Sequence, residues 1–136
     1  MRYLNEHQVN PANDTLTIAV VDEPGSGGAN HTYFIGNVDF DGNPGSEVAL
    51  NYAKAEDAEG CVVLFQNGPI NEVGVNGVTH EALLAILCDR MRGFQSGPYA
   101  SADNAEALAC MEQAQAALLR RTRARMARGV EGTHTV

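Results

Sequence analysis

The stretch from about Ala102 to Ala127 is dense in alanine, the strongest helix former, and it commits the end of the chain to one long helix. Ser101 or Asp103 can cap its start, and Asp103 with Glu106 gives a D-x-x-E variant of the capping box; Gly129 stops it. Leu108, Met111 and Leu118 form an apolar stripe that packs one face only. A second helix is predicted over His80 to about Gly93, capped by Thr79 and striped by Leu83, Leu84, Leu87 and Met91. Gly93-Phe94-Gln95-Ser96-Gly97-Pro98-Tyr99 breaks the two apart by glycine and proline chemistry, which leaves a helical hairpin over about 79–128 and a tail at 129–136.

The first half reads as β. Asp14 to Val21 alternates and is rich in β-branched residues, then ends in the turn Asp22-Glu23-Pro24-Gly25-Ser26-Gly27-Gly28. Further strands are predicted over about Asn30–Val38, about Glu47–Tyr52 and Gly60–Gln66, with residues 40–59 an extended insert in the sheet. Asp39-Phe40-Asp41-Gly42-Asn43 has the start of a calcium loop but none of its later ligands, so it reads as a polar turn. The predicted fold class is α+β: an N-terminal antiparallel β-sheet over about 1–70, followed by the two-helix hairpin, in a single domain of 136 residues. Phe65-Gln66-Asn67-Gly68-Pro69 and Phe94-Gln95-Ser96-Gly97-Pro98 share F-Q-x-G-P, which is either convergent turn chemistry or a duplicated recognition loop.

No apolar run approaches the roughly 20 residues that span a bilayer, and the polar N-terminus lacks the apolar core of a secretory signal. Cys61, Cys88 and Cys110 form no C-x-x-C pair and sit among apolar neighbours, as expected of buried, reduced thiols. His7, His31, His80 and His134 are scattered without metal-ligand spacing, so neither a metal nor a cofactor is expected. Charge is divided sharply. Residues 1–89 carry 13 acidic and two basic side chains, whereas 90–136 carry four acidic and seven basic, all arginine. An acidic body repels a long nucleic acid, and an arginine cluster on such a body suits a compact anion.

Arg120, Arg121, Arg123, Arg125 and Arg128 form that cluster, and Arg121, Arg125 and Arg128 share a face at i, i+4, i+7. Spacing leaves two readings open, a solvated helix end or an anion site. Arginine in place of lysine, whose rigid fork suits bidentate phosphate contact, favours the second. Phe94 could stack on a base or anchor its loop, and Asn104 could pair with an adenine edge or cap a helix. Asn104 and Arg121 are 17 residues apart, about 25 Å along a helix. One chain therefore cannot bring both onto a small ligand. Antiparallel two-fold pairing of the long helices could, with base contacts from one subunit and phosphate contacts from the other.

Phe65-Gln-Asn-Gly-Pro-Ile-Asn-Glu-Val-Gly-Val-Asn-Gly-Val-Thr79, Gly93-Phe-Gln-Ser-Gly-Pro-Tyr99, Asn104 and the run Arg121 to His134 together resemble the first family of phage Thoeris anti-defense proteins. The resemblance is good over most of 60–136 and loose over the sheet. It implies a phage protein acting in the cytoplasm of the infected bacterial host. Such a protein sequesters a cyclic ADP-ribose isomer made by bacterial TIR-domain enzymes, and so leaves the NAD-degrading effector inactive. It further implies a binder that holds its ligand without degrading it. Members form dimers that can assemble into hexamers, and some carry separate sites for the cyclic di- and trinucleotides of CBASS defence. The family's stacking phenylalanine falls on Phe94, its pocket asparagine on Asn104 and its phosphate-binding arginines on Arg121 and Arg125, with Arg128 on the same face.

Two other classes compete. A nucleic-acid-binding phage regulator could lay the arginine-rich helix along a duplex, against the acidic net charge of −8. A nucleotide hydrolase would need a nucleophile with a paired base, and only His80-Glu81 sets a histidine beside a carboxylate, where a helix start explains it more simply.

Overall fold

In the computed structural model the described residues are 1–9, 11–25, 28–56, 60 and 63–136. Three short strands, β1 (Arg2–Leu4), β2 (Thr17–Val20) and β3 (Tyr33–Gly36), form an antiparallel sheet in the order β1-β2-β3. The register sets Leu4, Ile18 and Ile35 in one row and Tyr3, Ala19 and Phe34 in the next. Because successive side chains alternate in face, the first row joins the core and the second leaves Tyr3 and Phe34 exposed. The expected α+β class is what the chain adopts, with helices α1 (Pro11–Asp14), α2 (Gly45–Glu56), α3 (Ile70–Val73), α4 (His80–Gln95) and α5 (Ala102–Ala127).

The expected strand from Asp14 to Val21 is shorter, because α1 occupies Asp14 and a turn bonds the Leu16 N–H to the Asn13 carbonyl. Strand β1 went unanticipated: three residues are too few to show a period, and only pairing with β2 makes them a strand. The expected strand over Glu47–Tyr52 is instead part of helix α2. Its start explains the difference. The Asn43 side chain accepts from the Gly45 N–H at 2.8 Å, and Pro44 beside it suits a first helical turn. The alternation of Val48, Leu50 and Tyr52 that mimics a strand consists of exposed side chains. Residues 40–56 are thus not an insert in the sheet, residues 57–59 lying outside the described residues, and Phe40–Gly42 forms a 3-10 turn.

The expected strand over Gly60–Gln66 is also not formed where it is described. Cys61 and Val62 lie outside the described residues, and only Phe65 makes an isolated parallel bridge, to Val78. That bridge needs Gly77, since a Cβ there would stand 2.3 Å from the Phe65 carbonyl carbon. Asn76, fully buried, ties the region together by donating to the Gly42 and Asn67 carbonyls and accepting from the Asn67 N–H.

The core lies between the sheet and α4: Leu16 and Ile18 pack on Ala82 and Ala85, flanked by Leu4, Tyr33, Ile35, Val38, Val75 and Ile86. Thr79 caps α4 as expected, accepting from the Ala82 N–H at 3.1 Å. The buried side of α4 is Glu81, Ala82, Ala85 and Cys88 rather than the leucine stripe, and Leu87 remains 48% exposed. Small residues let the helix axis approach the sheet closely. Ser101, not Asp103, caps α5 through the Asn104 N–H. Only Gln115 and Thr122 of α5 are buried, so its apolar stripe is half-covered at most.

An ion pair staples the first strand to α4. Arg2 makes a two-pronged contact with Asp89 at 2.7 and 2.8 Å, and the Tyr33 hydroxyl donates to the same carboxylate at 2.7 Å. Desolvation pushes the Asp89 carboxyl up, but the Arg2 and Tyr33 hydrogen bonds outweigh it and hold it below the usual carboxylate range. A carboxyl depressed in the folded state stabilises above its unfolded pKa, and that contribution is lost as pH falls through the folded value. Asp89→Ala should therefore lower stability by about 1–3 kcal/mol at neutral pH, with the gap to wild type closing in acid. Urea unfolding at several pH values measures this; a gap that persists unchanged below the depressed carboxylate range would contradict the assignment.

Candidate functional site

The hairpin places the candidate residues at opposite ends of one rod. Phe94 lies in the last turn of α4 and Asn104 in the first turn of α5, so the connecting loop brings these two to the same end. That loop is closed by Gln95, whose side-chain amide donates to the Ser101 carbonyl and accepts from the Ser101 N–H. Gln66 does similar work in the other F-Q-x-G-P segment, donating to the Gly68 and Gly74 carbonyls. In both segments the glutamine amide ties nearby backbone, as shared turn chemistry would have it.

Phe94 is half-buried, with the Arg90 guanidinium 5.6 Å from its ring centroid, and Arg90 also donates to the Asn30 carbonyl at 2.6 Å. The glycine-rich turn after β2 presses against this point: a Cβ on Gly93 would stand 2.8 Å from the Ala29 Cα. The Asn104 side chain donates to the Tyr99 carbonyl at 3.1 Å, which ties it to the loop.

At the other end Arg121 is 56% exposed and bonds Glu81 at 3.1 Å, whose own side chain is 3% exposed. Arg125 is 22% exposed and held by the tail: it donates to the Glu131 carboxylate and to the carbonyls of Val130, Thr133 and Thr135. Arg128 donates to the main-chain oxygen of Val136. No acidic residue stands four positions from these arginines along α5. Glu81 and Glu131 arrive from α4 and from the tail instead, and no helical spacing signals them. Beneath the tail, loop residues 66–70 and Glu131 to His134 line a polar cavity of about 520 Å³.

The structure does not bring Phe94 and Asn104 onto Arg121 and Arg125. Helix α5 is continuous over 26 residues, so the interval from Asn104 to Arg121 remains about 25 Å. The cysteines divide: Cys88 is buried and its thiol pushed up chiefly by desolvation, Cys110 is exposed rather than buried as expected, and Cys61 lies outside the described residues. Among the described residues, no group of three or more His, Cys, Asp or Glu side chains is placed to hold a metal ion, and no helix is long and apolar enough to cross a membrane.

This hairpin has known relatives. Residues 57–123 match the family of the Acb2/Tad1 hairpin domain. The likeness is to this hairpin domain and covers just under half of the chain, 67 of its 136 residues. It is 44% identical over 74 residues to the protein named Thoeris anti-defense 1 of Bacillus phage SBSphiJ7. That stretch is 54% of this chain and 52% of the relative, so the chain matches about half the length of the relative. The family segment contains Phe94, Asn104 and Arg121 but ends before Arg125 and Arg128.

Arg125→Ala should release residues 130–136, since it removes four hydrogen bonds to the tail. Amide exchange in the tail should then quicken by tenfold or more while α5 keeps its helicity. Unchanged tail protection would show that Arg125 does not hold it.

Proposed function

We propose that this hairpin protein binds and sequesters a small cyclic nucleotide bearing a diphosphate, a cyclic ADP-ribose isomer made by bacterial TIR enzymes, and thereby blocks Thoeris immunity for a phage. The observation that carries the reading is the exposed arginine end of a rigid α5, set about 25 Å from a loop end bearing an aromatic ring and an amide. The name of the relative, Thoeris anti-defense 1, supports the same biological setting. The ligand acts as an anion with a planar base, so it calls for Phe94 to stack on the base, Asn104 to pair with its edge, and Arg121 and Arg125 to hold the phosphates, with Arg128 on their flank. Phosphate would replace the Glu131 carboxylate on Arg125, exchanging one anion for another.

The two groups of residues meet only if two copies pair with their long helices antiparallel, giving two equivalent pockets per dimer; further assembly of dimers into a hexamer is compatible with this. The protein acts by holding its ligand. Capture of a messenger at low concentration calls for a nanomolar Kd, about −12 kcal/mol, and enclosure between subunits supplies the desolvation that such affinity needs.

Calorimetric titration against cyclic ADP-ribose isomers and cyclic di- and trinucleotides tests the ligand class, and the oligonucleotide arm tests the further CBASS binding. Tight binding to at least one isomer is expected, with the ligand recovered intact after heating; a cleaved product would make the protein an enzyme, and silence across the panel would remove the reading. Mixing equal amounts of Asn104→Ala and Arg121→Ala chains should restore about a quarter of the wild-type pockets if subunits exchange at random. No recovery after demonstrated subunit exchange would exclude a shared pocket.

A further inference from the structure

A buried carboxylate at the other end of the hairpin has no role in the core. Glu81 stands in the first turn of α4, its side chain 3% exposed, between Ala82 of the hydrophobic cluster and α5. Taking a carboxylate out of water is expensive unless it is paired and hydrogen-bonded. Its one ion-pair partner among the described residues is Arg121, through a single guanidinium nitrogen at 3.1 Å. Next to it Gln115, also buried, donates to the Glu81 carbonyl at 3.3 Å, while the Gln115 side-chain oxygen is buried without a hydrogen-bond partner among the described residues. An apolar residue at this position would fill the same space at lower cost, so packing does not explain a carboxylate here.

The two arginines of the candidate site are held in opposite ways. Arg125 spends all three of its nitrogens on the tail. Arg121 spends one nitrogen on Glu81, and its side chain as a whole is 56% exposed. A guanidinium has five N–H donors in a fixed plane. Anchoring one nitrogen to a buried carboxylate therefore narrows the orientations open to the rest of the fork before any ligand arrives. Exposed arginines otherwise lose rotamer freedom when they bind, which opposes affinity. Arg120 and Arg123, on either side, are exposed and have no such anchor among the described residues.

We propose that Glu81 is the positioning residue of the anion site: it holds Arg121 by one edge and presents the other to a diphosphate. The proposal rests on Arg121 being a phosphate contact and goes beyond it in assigning how that side chain is preorganised. It also gives His80-Glu81 a function other than starting a helix or acting as a base.

The test uses the full chain, with inorganic pyrophosphate and a cyclic ADP-ribose isomer as separate probes, and adenosine as a probe without phosphate. Glu81→Gln keeps the shape and removes the charge. It should weaken binding of both phosphate probes about tenfold and leave adenosine unchanged, while in an Arg121→Ala background it should add nothing. Equal affinities of wild type and Glu81→Gln for pyrophosphate, or no pyrophosphate binding by wild type, would overturn the proposal. Binding of pyrophosphate but not of the cyclic nucleotide, with the Glu81→Gln loss intact, would remove the ligand reading and sustain the role of Glu81.

If Glu81→Gln fails to fold, side-chain ¹⁵N relaxation of the wild-type protein decides. The Arg121 guanidinium should show an order parameter above about 0.6, with Arg120 and Arg123 below it. Equal mobility of the three would overturn the proposal.

Discussion

A helix advances about 1.5 Å per residue whatever its sequence, and α5 keeps that advance unbroken for 26 residues. Everything the hairpin can do follows from this rigidity. It sets one end of the rod, with Phe94 and Asn104, apart from the other, with Arg121 and Arg125. It also makes a pocket of nucleotide size impossible to assemble from both ends of one copy. The alanine content that builds so straight a helix also denies it a large apolar face, and α5 buries only Gln115 and Thr122. A rod so thinly covered is suited to packing against a second rod.

The sheet and α4 form the fixed end of this arrangement. Ala82 and Ala85 let the helix sit close to Leu16 and Ile18, and Gly93 lets the helix end sit close to Ala29. Between these contacts Arg2, Tyr33 and Asp89 form one hydrogen-bonded unit, and Arg2 and Arg90 both reach Asn30. The ring of Phe94 is thus held through Arg90 by the same part of the chain that folds the sheet. Arginine chemistry recurs at both ends, but in different settings: folded into the sheet network at one, and divided between Glu81 and the tail at the other.

Where local patterns misled, the cause was a contact distant in sequence. Val48, Leu50 and Tyr52 alternate as a strand would, yet Asn43 and Pro44 start a helix there and the alternation is spent on exposed positions. The leucines of α4 looked like its packing face, yet its fully buried core positions facing Leu16 and Ile18 are Ala82 and Ala85. The carboxylates that reach the arginine run come from Glu81, 40 positions away, and from Glu131 in the tail, where no helical spacing points.

The sequence by itself determined the α+β class, the two helices with their Thr79 cap and Gly129 stop, and the separation of Phe94 and Asn104 from Arg121 and Arg125. These follow from local propensity, capping and a fixed rise per residue, which need no partner. Only the tertiary structure decided which arginine is free. Arg121 stays exposed beside Glu81 and Arg125 is enclosed by the tail because burial of Glu81 and folding of residues 130–135 are properties of the packed chain, not of spacing along a helix.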